Sequence, residues 1–100
     1  MTIRMLLDQL RTKRKAIEAL GRKFGAKHIR VFGSVARGEE SDHSDIDFLV
    51  EFPRGYDLFA QRMPLTDELS QLLNRPVDVV PEHELGPHIR SRVIVEAVEL

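Results

Sequence analysis

The sequence predicts an α/β (α+β) domain: a small mixed β-sheet with helices packed on one face, in the order αββαβα. Three observations carry that prediction. Apolar residues recur at helical spacing through the first quarter of the chain. A two-residue alternation then runs through "DIDFLVEF" at 45–52, the period of a strand with one buried face. A shorter run, "VDVVP" at 77–81, follows a second helical stretch and reads as another strand.

Taken in order, Ile3, Leu6, Leu7, Leu10, Ile17, Leu20 and Phe24 form the apolar stripe of a first helix. Arg11, Lys13, Lys15, Arg22 and Lys23 fall mostly off that stripe, and Gly25 closes the helix. "KHIRVF" alternates Ile29 and Val31 against His28 and Arg30, a short strand that runs straight into Gly33-Ser34. In the next strand Ile46, Phe48, Val50 and Phe52 face the core, which places Asp45 and Asp47 together on the opposite face. Leu58, Leu65, Leu69, Leu72 and Leu73 predict a helix that Pro64 kinks or restarts. In the third strand Val77 and Val79 share one face, and Asp78 lies on the other with Val80, so Asp78 can join the first two acids. A last helix is expected to start near Gly86-Pro87 and to bury Ile89, Val93, Ile94 and Ala97.

Composition narrows the function classes. One hundred residues suit a single domain, 1–100, and 42% hydrophobic with 31% charged residues is a globular rather than a disordered balance. No apolar run approaches a membrane span, and the N-terminus lacks a signal peptide's apolar stretch and cleavage site. The absence of cysteine excludes disulfides and thiolate metal sites and fits a reducing cytoplasm. A net charge of −1 does not indicate direct nucleic-acid binding. The charge is nevertheless uneven, with ten Lys/Arg against seven Asp/Glu in residues 1–50 and five against nine in 51–100. Solvated helix faces account for that split.

Three carboxylates crowded on one face repel one another unless protonated or neutralised. Divalent cations such as Mg²⁺ or Mn²⁺ suit hard oxygen ligands, and paired ions of this kind serve phosphoryl and nucleotidyl transfer. The turn complements such a site. Gly33 lets backbone approach a ligand, Ser34 offers a hydroxyl, and "SVARG" can start a short helix whose free N–H groups attract phosphate. Arg37 can contact a triphosphate or anchor the loop to a nearby acid. The Gly33–Gly38 spacing is no P-loop, because Glu39-Glu40 stand where Lys-Ser/Thr belongs. Nor is "DHSDIDF" an EF-hand, since Ile46 and Phe48 belong to a strand.

The combination of "GSVARG", "SDIDFLV" and "VDVV" resembles the minimal nucleotidyltransferase (MNT) domains of the DNA polymerase beta superfamily. The resemblance covers the core from about Ala26 to Pro81. It implies that Asp45 and Asp47 bind metal, that Asp78 completes the site and assists as base, and that Gly33 and Ser34 hold the nucleotide's phosphates. Arg37 belongs to the nucleotide-binding set in its triphosphate reading. The resemblance further implies an antitoxin role beside a HEPN-domain toxin, with AMP moved from ATP to a tyrosine of that partner. The chain has almost nothing beyond the catalytic core, so the acceptor surface is expected from another protein or from a second copy of the chain. Two alternatives predict different behaviour: a binding antitoxin that occludes its partner without catalysis, and a dimeric nucleotidyltransferase acting on small molecules.

Overall fold

The computed structural model describes residues 5–100; Ile3 of the predicted first helix lies outside them. The first apolar stripe folds as two helices, α1 (Leu6–Thr12) and α2 (Arg14–Lys23), rather than one. The break falls at Lys13, whose backbone leaves helical geometry at φ −106° and ψ 14°. The bend lets Leu10 and Ile17 enter the same core cluster. Gly25 follows α2 with φ 79°, as its closing role requires.

Strand β1 (Lys27–Phe32) leads through Gly33 into a four-residue helix, α3 (Ser34–Arg37), and then into β2 (Ile46–Glu51). A turn of π-helix at Leu58–Arg62 runs into α4 (Met63–Leu73), so Pro64 restarts the helix in its first turn, where a missing N–H costs nothing. Strand β3 (Val77–Pro81), a 3₁₀ turn (Glu82–Glu84), α5 (Pro87–Glu96) and a two-residue strand β4 (Val98–Glu99) complete the chain. The six predicted elements occur in their predicted order. The division of the first helix and the fourth strand are additions.

The sheet order is β3-β2-β1-β4. β2 pairs antiparallel with β1 and parallel with β3, and β4 pairs antiparallel with β1, so the sheet is mixed. Ile29, Val31, Ile46, Phe48, Val50 and Val79 point into one core with Leu10, Ile17, Leu65 and Leu69 from the helices. Burying those side chains is the main favourable term for the fold.

The opposite face is less open than the alternation suggests. Leu49 is fully buried there, and Arg30, its neighbour in register, is only 8% exposed. Arg30 donates to Glu82 at 2.6 Å, and Arg90 of α5 donates to the other Glu82 oxygen at 2.9 Å. This ionic link joins α5 to β1 and to the turn that follows β3. Of the four residues predicted to bury its face, only Val93 is buried; Ile89 and Ile94 are exposed. Ala97 is partly buried but already extended, with φ −61° and ψ 138°, because the chain there turns towards β4. No helix among the described residues is long and apolar enough to cross a membrane.

Candidate active site

The acidic cluster is built by strand register. In the parallel β2–β3 pair Asp47 stands directly opposite Asp78, and neighbouring strands lie only about 4.8 Å apart. Asp45 precedes β2 by one residue rather than lying within it, but it keeps the parity that faces Asp47. Its loop is pinned from β3's side. The Arg75 guanidinium donates to the carbonyls of Ser41 and Ser44 at 3.0 and 2.9 Å, and the Ser41 N–H donates to Ser44 Oγ at 2.8 Å. Ser44 thus shapes the turn into the strand, as its sequence position suggests, and Arg75 joins it as a residue the sequence reading did not single out.

Asp47 is the most perturbed carboxylate. Burial, then the charges of Asp78, Asp45 and Glu96, push it from 3.8 up to about 6, with Arg37 partly offsetting them. Among the described residues, no three His, Asp or Glu side chains are gathered as a ready-made cation cage. The acids gather as a partly buried Asp47 flanked by exposed Asp45 and Asp78.

Gly33 closes over this cluster. Its φ of 76° and ψ of −154° lie in a region that essentially only glycine populates. A Cβ there would collide with the Asp47 carboxylate, so the missing side chain is what lets turn and acid share one space. Ser34 opens α3 immediately afterwards, and Gly38 ends that helix in the left-handed conformation.

Arg37 takes the anchoring role. Its Nη1 donates to Glu96 at 2.5 Å and its Nε to Glu39 at 3.0 Å. Both hydrogen bonds raise its pKa above the ordinary guanidinium value. Glu96, the last residue of α5, was not legible as a site residue: it lies far along the chain in a helix that reads as packing. Its second oxygen accepts the Gly33 N–H at 2.9 Å. Burial alone would raise the Glu96 pKa, but the hydrogen bonds from Arg37 and Gly33, with the charges of Arg37 and Arg92, hold it below the usual carboxylate value.

Comparison with known proteins identifies the family and the fold. Residues 13–100 match the nucleotidyltransferase domain family. A candidate protein adenylyltransferase of Methanocaldococcus jannaschii is 41% identical over 88 residues, covering 88% of this chain and 92% of the relative. The protein adenylyltransferase MntA of Thermococcus cleftensis is 38% identical over 79 residues, covering 79% of each. A solved structure of a candidate minimal nucleotidyltransferase superposes with a TM-score of 0.83 at 44% identity, covering 94% of this chain and 95% of that one. A chain of a toxin–antitoxin complex solved with AMP-PNP superposes at 0.72 and 26% identity, covering 85% of this chain and 69% of that one. A polymerase-beta-like core carrying this turn and these acids, matched from residue 13 onward, leaves one conclusion: the chain belongs to the nucleotidyltransferase domain family, as an MntA-like minimal nucleotidyltransferase.

Proposed function

We propose that this chain transfers AMP from ATP to a hydroxyl of a protein partner, a HEPN-domain toxin, and so acts as its antitoxin. One observation carries the reading: Asp47 and Asp78 side by side in register, with Asp45 adjacent and the Gly33 turn closed against Asp47. Relatives named as protein adenylyltransferases support a protein acceptor. The structural neighbour solved with AMP-PNP supports an adenine nucleotide, and its toxin–antitoxin assembly supports a toxin as partner. The HEPN identity rests on the family resemblance.

The acids fit divalent cations. They are hard oxygen donors, and the burial and neighbouring charges that lift Asp47 to about 6 are a cost that such a cation would offset. Asp45, Asp47 and Asp78 would hold Mg²⁺ or Mn²⁺, and two bound ions would neutralise charge at the attacking and leaving oxygens. The protein's own groups do the rest in this reading. The Gly33 N–H and Ser34 hydroxyl hold phosphate oxygens. The acceptor oxygen forms a bond to the α-phosphorus as the bond to the bridging oxygen breaks, and pyrophosphate departs with that electron pair. Asp78, at the exposed edge strand, takes the acceptor's proton.

Intact-mass spectrometry of the partner, coexpressed with the native chain or with Asp45→Ala/Asp47→Ala, tests this. An AMP-sized increment with the native chain alone is expected. A partner that is silenced and copurified by both versions without any increment would identify a binding antitoxin instead.

A further inference from the structure

Two donors at the mouth of the Gly33 turn, the Gly33 N–H and the Arg37 guanidinium, converge on one acceptor, the Glu96 carboxylate. A carboxylate held by a backbone N–H on one oxygen and an arginine Nη1 on the other is placed as a phosphate group is in other anion sites. We propose that Glu96 is a built-in competitor for the nucleotide, seating its carboxylate where a phosphate goes, so that nucleotide entry and docking of the end of α5 exclude each other. The proposal rests on the reading that Gly33 and its turn hold the nucleotide's phosphates.

The surroundings make displacement feasible. Glu96 is 26% exposed, so it is reachable from solvent rather than sealed in the core. It lines a cleft of about 330 Å³ with Arg37, Ile89, Arg92 and Val93. Arg92 lies one helical turn before Glu96 on α5, at the spacing where helix side chains meet, and can receive the displaced carboxylate. Arg37 keeps its Nε bond to Glu39 when Glu96 leaves, and its Nη1 is released for a phosphate oxygen. What moves is short: Ala97 is already extended, and β4 pairs with the sheet through only Val98 and Glu99, with Glu99 also held by His28 and Arg11.

The test is equilibrium binding of AMP-PNP with Mg²⁺ by calorimetry, together with hydrogen–deuterium exchange at residues 97–100. The wild-type chain, Glu96→Gln and Glu96→Ala are compared, with Asp45→Ala/Asp47→Ala as the site control. Removing the competitor should tighten AMP-PNP binding by about five- to twentyfold in both Glu96 variants, the relief expected when a binding-competent state no longer has to be selected. AMP-PNP should also speed exchange at 97–100 in the wild type. Glu96→Gln keeps an acceptor for Gly33 and guards against a folding artefact. Weaker or unchanged affinity in both Glu96 variants, with the Asp45→Ala/Asp47→Ala control losing binding, overturns the competitor role and leaves the nucleotide site standing. Binding that survives in the control, or is absent from every variant, overturns the phosphate reading and the proposal with it. Binding gained only when Glu96 is replaced supports the proposal most directly.

Discussion

Gly33 and Asp47 occupy adjoining space so closely that a single methyl group on the glycine would collide with the aspartate's carboxylate. Substituting Gly33→Ala therefore imposes two penalties. The backbone, at φ 76° and ψ −154°, is strained for any side chain by about 1–3 kcal/mol, and the collision displaces Asp47. Urea melts should show a loss of that size, and AMP incorporation into the partner should fall to background. A Gly33→Ala chain of native stability and full activity would mean that the turn does not shape the site.

Asp47 sets a pH dependence whose sign is fixed by its raised pKa. Its folded value is about 6 against an ordinary 3.8, so the ionised form disfavours the fold. That penalty is fully present above about 6, shrinks as the pH falls, and is gone below 3.8. Metal-free protein should thus gain stability through this group between pH 7.5 and 5. Asp47→Asn should be more stable at pH 7.5 by about 1–2 kcal/mol, after discounting for the group's partial solvent contact. Thermal melts in chelator at both pH values decide it; an Asn variant less stable than wild type at pH 7.5 contradicts the account from burial and crowding.

Asp45 and Asp78 are exposed and should be separable from folding altogether. Asp45→Ala is expected to lose transfer to background. Asp78→Ala should lose at least about 100-fold, the lower end of what a general base supplies. Both should melt within a degree or two of the wild type, since surface substitutions rarely change stability much. Circular dichroism melts beside a radiolabelled-ATP transfer assay give both readouts on one sample.

Glu82 makes a structural prediction independent of catalysis. It is shared by Arg30, which is buried, and by Arg90, whose side chain is 51% exposed. Glu82→Ala leaves the Arg30 charge buried and unpaired and should cost about 3 kcal/mol, whereas Arg90→Ala should cost less than about 1 kcal/mol. The hydrogen bond from Arg90, with that from Arg30, holds the Glu82 pKa below its ordinary 4.5 despite burial. Stability from Glu82 is accordingly present above that ordinary value and lost as pH falls through the depressed one. Equal effects of the two substitutions, read from chemical denaturation, would show that the link to Arg30 is not the important half.

Much of this protein was legible in its sequence because local patterns fix local outcomes. The alternation at 45–52 could be satisfied only by a strand with Phe48 inside and Asp47 outside, and the backbone at Gly33 needed a residue without a Cβ. Parity alone lets Asp78 share a face with Asp47, and the parallel register sets the two opposite each other. What sequence could not decide lies in contacts between distant segments. Nothing local at Lys13 announces a break, and two residues, Val98 and Glu99, are too few to show a strand period. α5 reads as an amphipathic core helix, yet it buries only Val93, meets the sheet through the Arg30–Glu82–Arg90 link, and leaves Ile89 and Ile94 in solvent. Glu96 reaches Gly33 across 63 residues, and no spacing rule extends that far. Sequence by itself determined the first three strands, the turn and the acids, because dihedral preference and side-chain alternation act over a few residues. Only the tertiary structure decided which carboxylate closes the turn, because that choice depends on where packing delivers the end of the last helix.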